Sequence, residues 1–151
     1  MEIGRRLEAM TIRVSNAGDY DELIALWKAS ASEISPRGRE AREAFARHIA
    51  RFPGLSLVAL DGGRVVGVVL GSHDGRKGWI SRLAVLPAYR RRGVAAALVT
   101  ACDTAIRAEG IEIVAALVEA DNPASAALFR KLGYSDEISV HYFRKLSHPE
   151  A

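Results

Sequence analysis

Residues 79–118 constrain this chain more than any other stretch. An apolar, strand-like run ends in Leu83, Ala84, Val85 and Leu86 and is cut by Pro87. Arg90, Arg91, Arg92 and Gly93 follow, then the helix-patterned residues 93–109, then a continuous apolar run over 111–118. Strand, turn, helix and strand make a βαβ unit, so the two strands run parallel within one sheet. Three guanidinium groups stand at the helix N-terminus, the positive end of its dipole, where cations are disfavoured. A bound anion offsets that repulsion. Free backbone N–H groups at the helix start, and a glycine that lets a ligand approach the main chain, complete an anion site. The arginines add bidentate bonds to phosphate oxygens. The turn is not a P-loop, since no Gly-Lys-Ser/Thr follows, and Gly-x-Gly-x-x-Gly is absent as well.

The rest of the chain extends this unit at both ends. Residues 11–15 pattern as a strand. Residues 19–30 pattern as a helix, with Leu23, Leu26 and Trp27 on one face and Asp19, Asp21 and Glu22 crowding the first turn. Residues 39–51 form a second, polar helix closed by Pro53 and Gly54. The period then changes. Residues 55–60 and 64–71 are strands joined by the hairpin turn Asp61, Gly62 and Gly63, and a third strand covers 79–86. The run 111–118 reads as a central strand covered on both faces. Pro123 starts a helix over 124–132 that stops at Gly133, and residues 138–146 alternate as an edge strand. The expected fold is α+β (α/β): a mixed sheet of six or seven strands with about four helices, in the order β-α-α-β-β-β-α-β-α-β. One domain spans 10–148, and residues 1–9 are an N-terminal extension.

With 151 residues, 49% hydrophobic and 26% charged, the chain suits one globular domain with a sizeable core. No apolar run approaches the ~18–20 residues of a membrane helix, and the first ten residues lack a signal-peptide core. Cys102 is the single cysteine, so no internal disulfide forms. That fits a reducing, cytoplasmic setting with no membrane partner. Its neighbours Leu98, Val99 and Ile106 mark it as a buried, inert thiol. The net charge of +3 fits either a solvated, arginine-rich surface or a polyanionic ligand, a phosphorylated cofactor or nucleic acid, and composition does not choose among them.

Two motifs do choose. The first runs Leu83, Ala84, Val85, Pro87, Arg90, Gly93 and Ala95; it resembles the Arg/Gln-x-x-Gly-x-Gly/Ala acetyl-CoA motif of the GNAT N-acetyltransferases. The second, with Asn122, Ala126, Leu128, Phe129, Gly133 and Tyr134, is similar to that family's Asn…Ala…Leu-Tyr…Gly-Phe segment. The resemblance covers residues 11–146 in the right element order, and it is to small bacterial single-domain members. It implies acetyl-CoA as co-substrate, no metal, and acetyl transfer to a primary amine by direct attack in a ternary complex. The acceptor would be a small molecule or a peptide or protein amine. Main-chain N–H groups of Arg91, Arg92, Gly93, Val94, Ala95 and Ala96 would hold the pyrophosphate. The side chains of Arg90, Arg91 or Arg92 would reach phosphate oxygens. Main-chain groups of Leu83 and Val85, with Ala84 between them, would pair with the pantetheine arm and polarise the thioester carbonyl. Asn122, Ala126 and Phe129 would line the arm and the sulfur end.

The sequence departs from the family in its proton chemistry. Phe129 stands where the family usually carries a tyrosine general acid, and Trp79 where relatives often carry a glutamate base. A thiol of pKa about 8.5 is a competent leaving group without a proton donor. Glu119 is the candidate base, Tyr142 a candidate acid, and Asp121 the expected helix-start carboxylate. His73 and Asp74 read as turn residues, and Trp27 as core or acceptor wall. Two further readings stay open: a CoA-binding regulatory module without catalysis, which Phe129 supports, and a nucleic-acid-binding domain, which lacks interleaved aromatics and is disfavoured. The resemblance also leaves a homodimer open.

Overall fold

In a computed structural model, which describes residues 10–30 and 34–151, five strands and four helices form a mixed sheet with helices on both faces. The expected extension over 1–9 lies outside the described residues. Strand β1 is Met10–Val14, helix α1 Tyr20–Ala29 and helix α2 Arg42–Arg51. Strands β2 Leu57–Asp61, β3 Arg64–His73 and β4 Lys77–Val85 follow, then helix α3 Val94–Arg107, strand β5 Ile113–Ala116 and helix α4 Pro123–Lys131. The sheet order is β1-β2-β3-β4-β5, antiparallel until the parallel β4–β5 pair that the βαβ reading requires. The expected polar helix over 39–51 begins later, because a 3-10 turn over Gly38–Glu40 precedes α2.

Two cores sandwich the sheet. Leu23, Leu26, Trp27 and Phe45 of α1 and α2 pack with Val58, Val68 and Ala84. On the other face, Val94, Leu98, Val99, Cys102 and Ile106 of α3 pack with Ala59, Val69, Ile80 and Val114. Each buried aliphatic side chain of this kind contributes roughly 1.5–3 kcal/mol relative to exposure, which is why β3 reads as an almost unbroken valine run. Gly78 sets how closely α3 approaches. A Cβ there would stand 2.3 Å from Ile106 Cγ2, so only glycine admits that helix. Cys102 is buried, its thiol donates to the carbonyl of Leu55 at 3.3 Å, and burial pushes its pKa up to about 12. It is the inert core thiol that its neighbours implied.

The C-terminal region departs from expectation. Residues 138–146 form no strand; Tyr142 is 68% exposed and Phe143 90%. Their alternation breaks at the adjacent aromatics Tyr142 and Phe143, so no register buries both on one face. The tail instead reaches back to the loop before α2, where Arg37 Nη1 donates to Glu150 Oε1 at 3.1 Å. Strand β5 is therefore the sheet edge among the described residues, not a central strand, and its Ile113 is 54% exposed. The sheet has five strands rather than six or seven.

Candidate active site

The site is built where two parallel strands come apart. Strands β4 and β5 pair from Lys77↔Ile113 to Ile80↔Ala116 and no further. Beyond Ile80, β4 carries a bulge: Leu70 faces Ser81 but Val68 faces Ala84, so one extra residue sits on β4. Arg82 lies within that bulge in the left-handed region, at φ 52°. After β5 ends at Ala116 the chain continues without pairing through Leu117, Val118 and Glu119. Past these pairs the facing edges of β4 and β5 are not bonded to each other, a cleft between the two strand ends.

Backbone direction decides what the β4 wall presents. The Leu86 N–H donates to the Val66 carbonyl on β3 at 2.9 Å. Successive strand residues point their N–H and C=O groups to opposite edges. Ala84 therefore faces β3, while Leu83 and Val85 turn theirs into the cleft. Ala84 itself is buried in the α1/α2 core.

At the mouth of the cleft, Pro87 ends the strand and the chain turns through the arginines into α3. Arg91 has φ 60° and Gly93, the residue before the helix, φ 81°. Left-handed residues at this spacing turn successive N–H groups toward one concavity, an anion-binding nest. The first intrahelical bond is Ala97 N–H to Gly93 C=O. The N–H groups of Val94, Ala95 and Ala96 thus have no helical acceptor and aim with the dipole at the turn. No protein atom comes within 4 Å of where a Gly93 Cβ would stand, so the space above the turn is open.

The three arginines do not act alike. Arg90 turns toward α1, where its Nη2 donates to the Ser30 carbonyl at 3.3 Å. Arg92 folds over Tyr89, guanidinium 5.4 Å from the ring centre. Its Nη1 is buried with no hydrogen-bond partner among the described residues, a donor left for a ligand oxygen. Arg91 is exposed.

Residues of the second motif carry structural contacts of their own. The Asn122 side chain accepts the Ser125 N–H at 3.1 Å and caps α4, the role expected of Asp121. Phe129 is buried, its ring edge-on to Tyr134 at 5.2 Å. Ala126 and Phe129 line a cavity of about 1160 Å³ between α3, β5 and α4, together with Asp103, Ala115 and Ile138. None of residues 90–96 is among its walls. The Tyr134 hydroxyl donates to Asp103 at 2.6 Å, and burial and that bond push its pKa well above the usual tyrosine range. Glu119 is exposed and lines the same cavity as Ala126 and Phe129, and Tyr142 stands out in the unpaired tail segment. His73 and Asp74 belong to the β3–β4 turn, where Asp74 accepts the N–H groups of Arg76 and Lys77, both at 2.8 Å.

Sequence reasoning missed Arg82 and the partners around it. The signal was faint: a charged residue inside an otherwise apolar strand. Its side chain pairs with Glu40, and its carbonyl accepts the indole N–H of Trp27 at 2.9 Å. Trp27, 2% exposed, is core, as favoured from its helix face, but its nitrogen reaches the cleft wall.

Residues 20–134 match the family model described as acetyltransferase (GNAT) family. The chain is 34% identical over 131 residues to an acetyltransferase of Sodalis glossinidius, covering 87% of this chain and 91% of that one. It is 34% identical over 139 residues to an acetyltransferase of Photorhabdus laumondii, covering 91% and 96%. Its fold is similar to that of the PaiA N-acetyltransferase of Thermoplasma acidophilum, solved in complex with coenzyme A. The TM-score is 0.77 at 20% identity, over 87% of this chain and 92% of that one.

Proposed function

This chain belongs to the GNAT acetyltransferase family, and from that premise we propose that it binds acetyl-CoA in the β4–β5 cleft and acetylates a primary amine by direct attack. The observation that carries the reading is the junction at the cleft mouth. Two main-chain positions whose groups face away from β3, Leu83 and Val85, lead straight to a left-handed turn with open space above it and a helix N-terminus behind it.

Each residue then has a task. Backbone N–H groups of Arg91 to Ala96 hold the pyrophosphate, which fits the nest and the helix dipole. Arg91 and the orphaned Nη1 of Arg92 supply charge-assisted bonds to phosphate oxygens. Arg90, engaged with Ser30, contributes less directly. Leu83 and Val85 pair with the pantetheine arm as an added strand would. A main-chain N–H on this wall polarises the thioester carbonyl, a contact whose loss typically costs ~10²–10³ in rate. Acetyl-CoA supplies an acetyl group on a thioester, whose C–S bond breaks as the C–N bond to the amine forms. The amine nitrogen must be neutral to attack, and Glu119 on the opposite wall takes its proton, directly or through water. Neither Phe129, which has no hydroxyl, nor Tyr134, whose hydroxyl is given to Asp103, protonates the departing sulfur. The thiolate leaves unassisted, as a group of pKa about 8.5 can near neutral pH. The acceptor is a small-molecule amine or a peptide amine.

The test combines acetyl-CoA in a thermal-shift assay with free-thiol release across small amines, polyamines, amino acids and peptides. A raised melting temperature and amine-dependent thiol release are expected. Stabilisation without thiol release from any acceptor would favour the second reading, a CoA-binding module without catalysis, which the buried Phe129 supports. No stabilisation would remove the cofactor assignment.

A further inference from the structure

The β4 wall owes its facing to one residue in an unfavourable conformation. Arg82 sits at φ 52°, a region that a long side chain rarely adopts. Such a residue persists only when its surroundings over-determine it. Here they do so from two sides. The buried indole of Trp27 donates to its carbonyl at 2.9 Å. Its guanidinium pairs with Glu40, which is itself held: the Tyr20 hydroxyl donates to the Glu40 carbonyl at 2.7 Å, and Arg39 approaches the same carboxylate at 3.4 Å. The clamp is tied back to the donor turn as well. Ser30 Oγ donates to the Trp27 carbonyl at 3.0 Å, and the Ser30 carbonyl accepts from Arg90.

The consequence of the bulge is geometric. In a strand of period 2, one inserted residue exchanges which main-chain groups face which edge. With Arg82 left-handed, Leu83 and Val85 face the cleft. Without the insertion, the register running from Leu70↔Ser81 would carry on unshifted and turn those groups to β3. The same bulge directly follows the last β4–β5 pair, at Ile80↔Ala116. It therefore also marks where the walls part.

We propose that Trp27 and Glu40 are positioning residues for acetyl transfer. By clamping Arg82 in its left-handed conformation they aim the Leu83 and Val85 main-chain groups into the cleft. This rests on the acetyltransferase reading above. Neither residue needs to touch a substrate, and Trp27 acts through a single hydrogen bond from the core.

The decisive variant is Trp27→Phe, which keeps an aromatic ring in the core but removes the N–H donor. Its kcat should fall about 10-fold, less than the ~10²–10³ of losing an oxyanion donor outright, because the bulge is loosened rather than removed. The KM for acetyl-CoA should rise less than kcat falls, about threefold, because the pantetheine contacts of Leu83 and Val85 loosen while the pyrophosphate turn keeps its own N–H groups. Adding Arg82→Gly should restore kcat to within about threefold of the unsubstituted protein, since glycine adopts a positive φ without strain. Glu40→Gln, which weakens only the side-chain tether, should lower kcat less. An unchanged kcat in Trp27→Phe overturns the proposal, and so does a loss that Arg82→Gly fails to restore. A crystal structure of Trp27→Phe gives a reading independent of turnover: Arg82 moving to negative φ supports the clamp, and φ staying near 52° overturns it. Failure of the parent reading would show separately, as absent acetyl-CoA binding by the unsubstituted protein.

Discussion

Strand β4 lies between two packed layers, with Ile80 and Val85 in the α3 core and Ala84 in the α1/α2 core, whereas β5 places only Val114 fully in a core. The first wall runs nine residues and is paired on both edges over its first half; the second runs four and is paired on one edge. Beyond the bulge, β4 is clamped by Trp27 and Glu40. Beyond Ala116, β5 dissolves into an exposed turn that carries Glu119. The groups assigned to the donor therefore sit on a rigid scaffold, where preorganised N–H groups keep their aim. The groups proposed for proton transfer sit on the softer wall, where a water-bridged carboxylate tolerates imprecise placement.

That contrast can be broken most forcefully at Gly78. In Gly78→Val the new side chain would drive into Ile106 Cγ2, which is fully buried and cannot yield, so a loss of about 3 kcal/mol or more is expected in urea unfolding. The matching change on the other wall, Ile113→Thr at a half-exposed edge position, should stay within about 0.5 kcal/mol. Equal losses would show that the two walls are equally built in.

Charge pairs sharpen the same contrast. Asp19, at the β1–α1 junction on the sheet edge opposite β5, is buried and accepts from Arg13 Nη1 and Nη2, Ser15 Oγ and the Asn16 N–H. The Arg13 bond holds its carboxyl below the usual range, against the opposing effect of burial. A depressed folded pKa means stability that is present above the unfolded value of about 3.9 and is lost as pH falls through the folded one. Asp19→Asn should cost about 2 kcal/mol at pH 7, and the gap to the unsubstituted protein should close on acidification below pH 4. On the β5 side, Asp136 pairs with Arg130 in the open, so Asp136→Asn should leave the melting temperature nearly unchanged.

The donor turn gives a smaller effect of a different kind. Arg91→Ala should raise the KM for acetyl-CoA about 10-fold, roughly 1.4 kcal/mol of lost phosphate contact, with kcat held. Arg90→Ala should raise it less, because Arg90 is engaged with Ser30. The smallest structural change is expected from Glu119→Gln. It should leave the melting temperature within about 1 °C, as for an exposed side chain, while lowering kcat and shifting the acid limb of the pH–rate profile. An unmoved profile would take the base role from Glu119.

Much of the donor half was legible along the chain because its determinants are local. A proline, three arginines and a glycine between a strand and a helix specify a turn, a helix start and an anion site within one short stretch. The hairpins at Gly62 and Gly75, both at positive φ, were likewise readable. Which way each arginine turns was not: Arg90 reaches Ser30, 60 residues away at the end of α1, while Arg92 lies over its near neighbour Tyr89. Phe129 matched a motif, but how a helix residue is shared between a cavity and the core depends on packing that no spacing encodes.

Local steric and dipolar rules, legible along the chain, account for the parallel β4–β5 pair, the crossover helix and the left-handed turn before it. Where the pairing stops, which main-chain groups face away from β3 and that residues 138–146 stay off the sheet follow from packing between elements. The facing of β4 turns on contacts across 55 and 42 residues of chain, Trp27 with Arg82 and Glu40 with Arg82. A bulge of one residue inverts a strand's facing, and an indole from another layer holds it there.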